Sequence, residues 1–293
     1  MKALFLVNAR SGPRRTVDIS SLIRSSCHGF DFEIEACQRK EDLDEIVARA
    51  EQTGYDAVFA VGGDGTVHEI AKRLIGRRLA MGIVPTGSGN GFARHLRLPM
   101  NASAAIAAGR GGTAVSIDTA EVNGMPFVGV MGVGFDAVIA REFAVRHARG
   151  LGTYLRAGFS AILRYRPEEY EVIADGERIS SRAFAIAVAN GSQYGNGFRL
   201  ARNASVCDGV LDLVVFRDVP AIAAPVVVAR LITGTLHRSS AAITRKVREV
   251  VIRRKSAGYA HLDGEPIELP EELNIRVRPR SLNVLVACDP NTI

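Results

Sequence analysis

The stretch VGGDGTVHE, residues 61–69, lies between an apolar run at 57–61 and an amphipathic helical pattern at 67–75. Glycine has no Cβ to hold a phosphate away from the backbone, and the first turn of a following helix offers unpaired N–H groups and a positive dipole end. A carboxylate among such glycines would repel a nucleotide unless a divalent cation lay between them. Asp64 therefore reads as serving a Mg2+-bound triphosphate. A tight turn with Asp64 as its helix cap is the plainer alternative.

Two further turns of the same kind lie nearby. PTGSGNGFARH, residues 85–95, again passes from strand through glycines to helix, and its Ser88 and Asn90 are able to hydrogen-bond phosphate or ribose. NARSG, residues 8–12, follows the first apolar run and is backed by Arg10, Arg14 and Arg15. Around these turns, short apolar runs at 3–7, 32–36, 57–61 and 81–84 alternate with helical patterns at 17–26, 43–51 and 67–75. Such alternation builds a parallel sheet covered by helices on both faces, with ligands at the carboxyl ends of its strands. Asn8, Gly62 and Pro85 each follow a strand, so the three turns open on one edge and converge on a single polyphosphate site.

From about residue 116 the pattern becomes hairpin-like. Strand candidates at 117–122 and 127–133 flank Asn123-Gly124, a strong turn signal. Others fall at 170–174, 183–189, 211–216, 247–253, 273–277 and 282–287, interrupted by helical stretches at roughly 136–166 and 221–236. The expected architecture is an α/β nucleotide-binding domain at 1–118 followed by an antiparallel β-sandwich at 119–280. A last strand at about 281–293 is a candidate to return to the first domain, and a cleft is expected where the domains meet.

With 47% hydrophobic and 23% charged side chains, the 293 residues can fill ordinary cores. The five apolar positions at 3–7 are too short for a signal-peptide core. The most apolar later window, 219–236, contains Pro225 and Arg230, whereas crossing a bilayer takes an uncharged span of about 20 residues. Cys27, Cys37, Cys207 and Cys288 form no C-x-x-C pair, which suggests neither zinc nor disulfides and fits a reducing cytoplasm. A net charge of +6 favours an anionic partner: nucleotide phosphates, nucleic acid or an acidic membrane. No aromatic-interleaved basic strand supports nucleic acid.

At these motifs the chain resembles the diacylglycerol kinase catalytic family, including bacterial lipid kinases and sphingosine and ceramide kinases. NARSG, GGDGT and PTGSGN are joined by GVGFDA at 132–137, CDGVLD at 207–212 and HLDGEP at 261–266, in matching order and spacing over nearly the whole length. The resemblance implies a phosphofructokinase/NAD-kinase-like first domain that binds ATP. Its contacts would come from Asn8, Ala9, Arg10, Ser11, Gly12, Gly62, Gly63, Asp64, Gly65, Thr66, Glu69, Gly87, Ser88 and Asn90. It further implies a lipid acceptor held at a membrane surface, with Asp263 as the base for its hydroxyl, Glu265 as the second candidate and Asp64 completing the catalytic set. A hairpin turn is the structural alternative for D-G-E.

The resemblance also implies a non-catalytic magnesium site at 205–210, with Asp208 as side-chain ligand and the carbonyls of Ser205 and Val210; a turn without metal is the alternative. The family typically has a second acid where Cys207 stands. The diacylglycerol kinase pattern has Asp at the position of Gly91, in a carboxylate cluster with the matches of Asp64 and Asp118. Sphingosine and ceramide kinases read G-S-G-N there, as this chain does, which opens acceptors other than diacylglycerol. Arg141, Arg146, Arg149, Arg156, Arg164 and Arg166 form a basic run containing one acid, Glu142. It reads either as the face that docks peripherally on the inner membrane or as an ordinary solvated helix face. His68, His95 and His147 lack metal-ligand spacing and read as structural. An NAD kinase and a nucleotide-binding regulator without activity are the rival functions, and a homodimer is an open option.

Overall fold

A computed structural model describes residues 1–8, 19–29, 31–37, 39–146, 165–195, 198–201, 203–218 and 224–287. Ala9, Arg10, Ser11 and Gly12 of the first turn lie outside these residues, as do Arg14, Arg15, Cys288 and most of the basic run after Arg146. The chain divides into two compact units, Met1–Thr119 with Pro279–Ile293, and Ala120–Arg278.

The first unit is a parallel sheet. Strand β1 (Lys2–Asn8) pairs on one side with β2 (Asp31–Cys37) and on the other with β3 (Ala57–Gly62), which pairs in turn with β4 (Ala80–Pro85). Helices α1 (Ile19–Ser26), α2 (Leu43–Gln52) and α3 (Asp64–Leu74) connect the strands, followed by the short α4 (Gly91–His95) and by α5 (Ala102–Gly111). Strands β3 and β4 are buried along their whole lengths, as a central parallel strand covered on both faces must be. The Phe5 and Phe59 rings stack with centroids 4.5 Å apart. Gly82 and Gly109 make room for Phe59: a Cβ on Gly109 would stand 2.6 Å from its ring.

The second unit is antiparallel. After β5 (Thr113–Val122) and β6 (Met125–Phe127) come β7 (Val130–Gly134), α6 (Phe135–Arg146) and β8 (Glu168–Ala174). The long β9 (Glu177–Ala189) pairs with β7, with β8 and with β12 (Leu211–Arg217), after the small hairpin β10 (Gln193–Gly195) and β11 (Phe198–Arg199). Helix α7 (Ala224–Thr233) precedes β13 (Ala242–Val247), β14 (Glu249–Arg254) and the hairpin β15 (Gly258–Leu262) and β16 (Glu265–Leu269). Alternate side chains of these strands, among them Met131, Val172, Ile186, Val188, Leu213, Val250 and Ile252, fill one core.

Several strands differ from their expected extents. The run expected at 127–133 is broken between β6 and β7, because the N–H groups of Val128, Gly129 and Val130 bond to the Asp263 carboxylate. The runs expected at 273–277 and 282–287 are one strand, β17 (Glu272–Val286), whose first half pairs with β14 and whose end pairs in parallel with β4. Among the described residues, no helix is long and apolar enough to cross a membrane.

Candidate active site

In the first unit the chain runs from β1 outward to β2 and returns to β3 on the other side of β1. That reversal makes the carboxyl ends of β1 and β3 the switch point where open α/β sheets place ligands. Asn8 ends β1 and Gly62 ends β3. Across this point Asn8 Nδ2 donates to Thr66 Oγ1 at 2.9 Å, which joins the first motif to the second.

Helix α3 begins immediately after β3, with Gly63 in extended conformation as its N-cap and Asp64 in its first turn. The cap is therefore a glycine and not the Asp64 side chain. Among the described residues no hydrogen bond or ion pair engages the Asp64 carboxylate, which is half-buried beside exposed Gly65. The turn at Gly87 packs directly on the turn at Gly63: a Cβ on Gly87 would stand 2.5 Å from Gly63 Cα, and one on Gly62 would stand 2.5 Å from Thr66 Cβ. These glycines allow two backbone turns to meet at one sheet edge. Asn90 sits in the left-handed region at φ 51° and exchanges two hydrogen bonds with Gly87, donating from Nδ2 at 2.8 Å and accepting at Oδ1 at 3.1 Å. Its amide thus braces the loop, leaving Ser88 exposed at its tip.

Glu69 lies farther along α3, nearly buried among Lys40, Lys72 and Arg73, with Arg73 at 2.7 Å. Asp118 is buried and accepts from the Arg280 backbone N–H at 2.8 Å. His68 packs edge-on to Phe92, and burial, aided by Arg97, pushes the His95 pKa down to about 4.

In the second unit, Asp263 and Gly264 turn β15 into β16 with φ of 54° and 85°, the pattern of a tight two-residue hairpin. The Asp263 carboxylate accepts from Val128 N–H at 3.0 Å, Gly129 N–H at 2.7 Å and Val130 N–H at 3.1 Å. A carboxylate has roughly four acceptor positions, so three backbone donors nearly saturate it. Glu265, two residues on, opens β16 half-buried.

Beneath this hairpin is a pair that sequence reasoning did not single out. His261, 3% exposed, stands with Nε2 2.9 Å from Asp136 Oδ2, while its Nδ1 accepts from Gly264 N–H at 3.3 Å. Burial disfavours the charged ring, but the Asp136 carboxylate outweighs it, with Asp263 adding in the same sense, and the His261 pKa is held above the ordinary histidine value. Gly132 clears the space, since a Cβ there would lie 2.6 Å from Nε2. The signal was present: GVGFDA and HLDGEP supply Gly132, Asp136 and His261.

The model of the diacylglycerol kinase catalytic domain matches residues 2–122, and that of the YegS C-terminal NAD kinase beta sandwich-like domain matches residues 129–286. The chain belongs to the YegS-like lipid kinases of the diacylglycerol kinase family. This lipid kinase is 29% identical over 294 residues to "Probable lipid kinase YegS-like" of Enterobacter sp. (strain 638), covering 96% of this chain and 95% of that one. It is 30% identical over 222 residues to the protein of the same name from Citrobacter koseri, covering 73% and 74%. A diacylglycerol kinase structure from Bacillus anthracis str. Sterne shares the fold, with a TM-score of 0.75 at 19% identity, covering 100% of this chain and 98% of that one.

ATP with Mg2+, which kinase chemistry implies, fits the edge at β1 and β3: close-set glycine turns at Gly62, Gly63 and Gly87, a helix N-terminus and the Asp64 carboxylate. At 205–210, where the resemblance implies magnesium, the side-chain ligand is already engaged by protein donors. Asp208 Oδ1 accepts from Val210 N–H at 3.3 Å, its Oδ2 is bonded by Lys246 Nζ, and Ser205 Oγ accepts from Cys207 N–H at 3.2 Å. Among the described residues no group of three His, Cys, Asp or Glu side chains gathers for a metal.

Proposed function

We propose that this lipid kinase transfers the γ-phosphate of ATP to a lipid hydroxyl, with the nucleotide on the first unit and the acceptor handled by the second. The observation that carries the reading is the Asn8–Thr66 bond at the switch point, where the ends of β1 and β3, α3 and the Gly87 turn meet. N–H groups of 63–66 would receive phosphate oxygens, Asn8 and Thr66 would fix the turn, and Ser88 would reach the nucleotide. The charge neutralisation that Mg2+ supplies when bound with ATP is the largest part of phosphoryl-transfer catalysis. Asp64 would hold that ion.

For the acceptor hydroxyl, the geometry favours Glu265 over Asp263 as the proton acceptor. Uptake of a proton by Asp263 would remove the charge to which three backbone donors already bond. Asp263 then anchors the loop at 128–130 and sets the turn from which Glu265 projects, with His261 and Asp136 bracing it from below. Peripheral attachment to an acidic lipid surface through the basic run from Arg141 belongs to the same reading. Each basic residue near such a surface contributes about 1 kcal/mol.

Incubation with γ-labelled ATP and mixed micelles of diacylglycerol, phosphatidylglycerol, sphingosine or ceramide tests the proposal. Label in at least one lipid is expected. Label in none of them, with phosphorylation of added NAD, would replace it by the NAD kinase reading.

A further inference from the structure

The turn at 205–210 and the strand after it hold an arrangement of charge that the kinase site does not use. Asp208 lies in the turn and Asp212 on β12, while Lys246 lies on β13 directly across from Asp212 in the antiparallel register. The Lys246 ammonium bonds Asp208 Oδ2, and the other Asp208 oxygen accepts the Val210 N–H of its own turn. Directly opposed residues share a face of the sheet, so the Asp212 carboxylate lies on the same side as the Lys246 ammonium.

We propose that Lys246 takes the place of a structural metal ion in this chain, its ammonium being the built-in cation that ties the 205–210 turn to β13. Three observations carry this. The single turn side chain suited to ligate a divalent ion, Asp208, is engaged at both oxygens by protein donors. The adjoining position is a cysteine, Cys207, so the turn itself carries one carboxylate. The cation that is present, Lys246, bonds Asp208 and lies across from Asp212, on a neighbouring strand whose register fixes its place. An ammonium gives three donors and one charge without a rigid shell, whereas Mg2+ demands near-octahedral oxygen ligation.

The experiment uses the whole, nucleotide-free chain stripped with EDTA. Its melting temperature is followed as MgCl2 is added over about a hundredfold range, because any ion that binds only the folded state must raise it. The proposal expects no rise for the wild type beyond that of Asp208→Asn, a lower melting temperature for Lys246→Ala in EDTA, and recovery of most of the loss in Lys246→Arg. A wild-type rise with MgCl2 that Asp208→Asn abolishes would overturn it, as would Lys246→Ala melting at the wild-type temperature in EDTA. Should Lys246→Ala fail to fold, binding of Mn2+ followed by electron paramagnetic resonance decides on the wild type alone. The same number of bound Mn2+ ions in wild type and Asp208→Asn is expected, and one more in the wild type contradicts the proposal.

Discussion

Asp64 and Asp263 are both carboxylates in glycine turns, yet their surroundings give them opposite duties. Asp64 is engaged by no described residue, so Asp64→Asn should abolish transfer while leaving the melting temperature unchanged; wild-type turnover would remove it from the site. Asp263 holds three backbone N–H groups, and hydrogen bonds to a charged group contribute about 1.5–3 kcal/mol each. Asp263→Asn should therefore lower stability by about 2–3 kcal/mol. Glu265→Gln should instead lower turnover by about 10² to 10⁴ fold with stability retained. Denaturant titration beside single-turnover rates separates the two, and the reverse pattern would return the base to Asp263. Asp212 supplies a test by pH. Burial is the main cause raising its pKa to about 6 against an ordinary 3.8, with Asp208 adding to the rise and Lys246 opposing it. The folded state thus binds a proton that the unfolded state has released, so this group's contribution to stability is present below pH 3.8 and is lost as pH rises through about 6. Asp212→Asn should flatten that fall, by on the order of 1–3 kcal/mol between pH 4 and 7.

At the scale of elements, the glycine turns were legible because their chemistry is local. Asn123-Gly124 reads as a turn from two residues, a hairpin turn at Asp263-Gly264 stands as the alternative to a catalytic role, and β3, β4 and α3 follow from apolar runs and periodicity. The break between β6 and β7 was not legible: its cause is a carboxylate far along the chain, which no window over 127–133 contains. The strands β15 and β16 escaped notice because GYAHL and EPIEL carry too many polar residues for an apolar run. His261 and Asp136 were missed for a related reason, since nothing in two separate motifs states that they touch. Where backbone meets backbone the constraint is strict. In Gly87→Ala the new Cβ would meet Gly63 Cα at 2.5 Å, and overpacking of this kind costs about 1–3 kcal/mol. Calorimetry should show weaker ATP binding in this variant alongside the lower melting temperature; unchanged binding would separate the Gly87 turn from the nucleotide site.

At the scale of the molecule, the βα alternation and the later hairpins correctly announced an α/β unit followed by an antiparallel one. They could not show that the runs at 273–277 and 282–287 are one strand, β17, because a strand's partners are set by tertiary pairing and not by its own pattern. The basic run from Arg141 carries the surface prediction. Arg146→Glu with Arg149→Glu should reduce sedimentation with anionic vesicles, and salt should do the same to the wild type, since screening limits surface charge to about 8 Å at physiological ionic strength. Equal sedimentation with anionic and neutral vesicles would remove that role. The central claim is that the terminal phosphate of a nucleotide held at the β1 and β3 edge moves to a lipid hydroxyl. Its most direct test compares α-labelled with γ-labelled ATP in mixed micelles, counting label in the extracted lipid for wild type and Asp64→Asn. The account predicts label from the γ position alone, and none in Asp64→Asn. Lipid labelled equally from both positions, or labelled equally by both proteins, would contradict it.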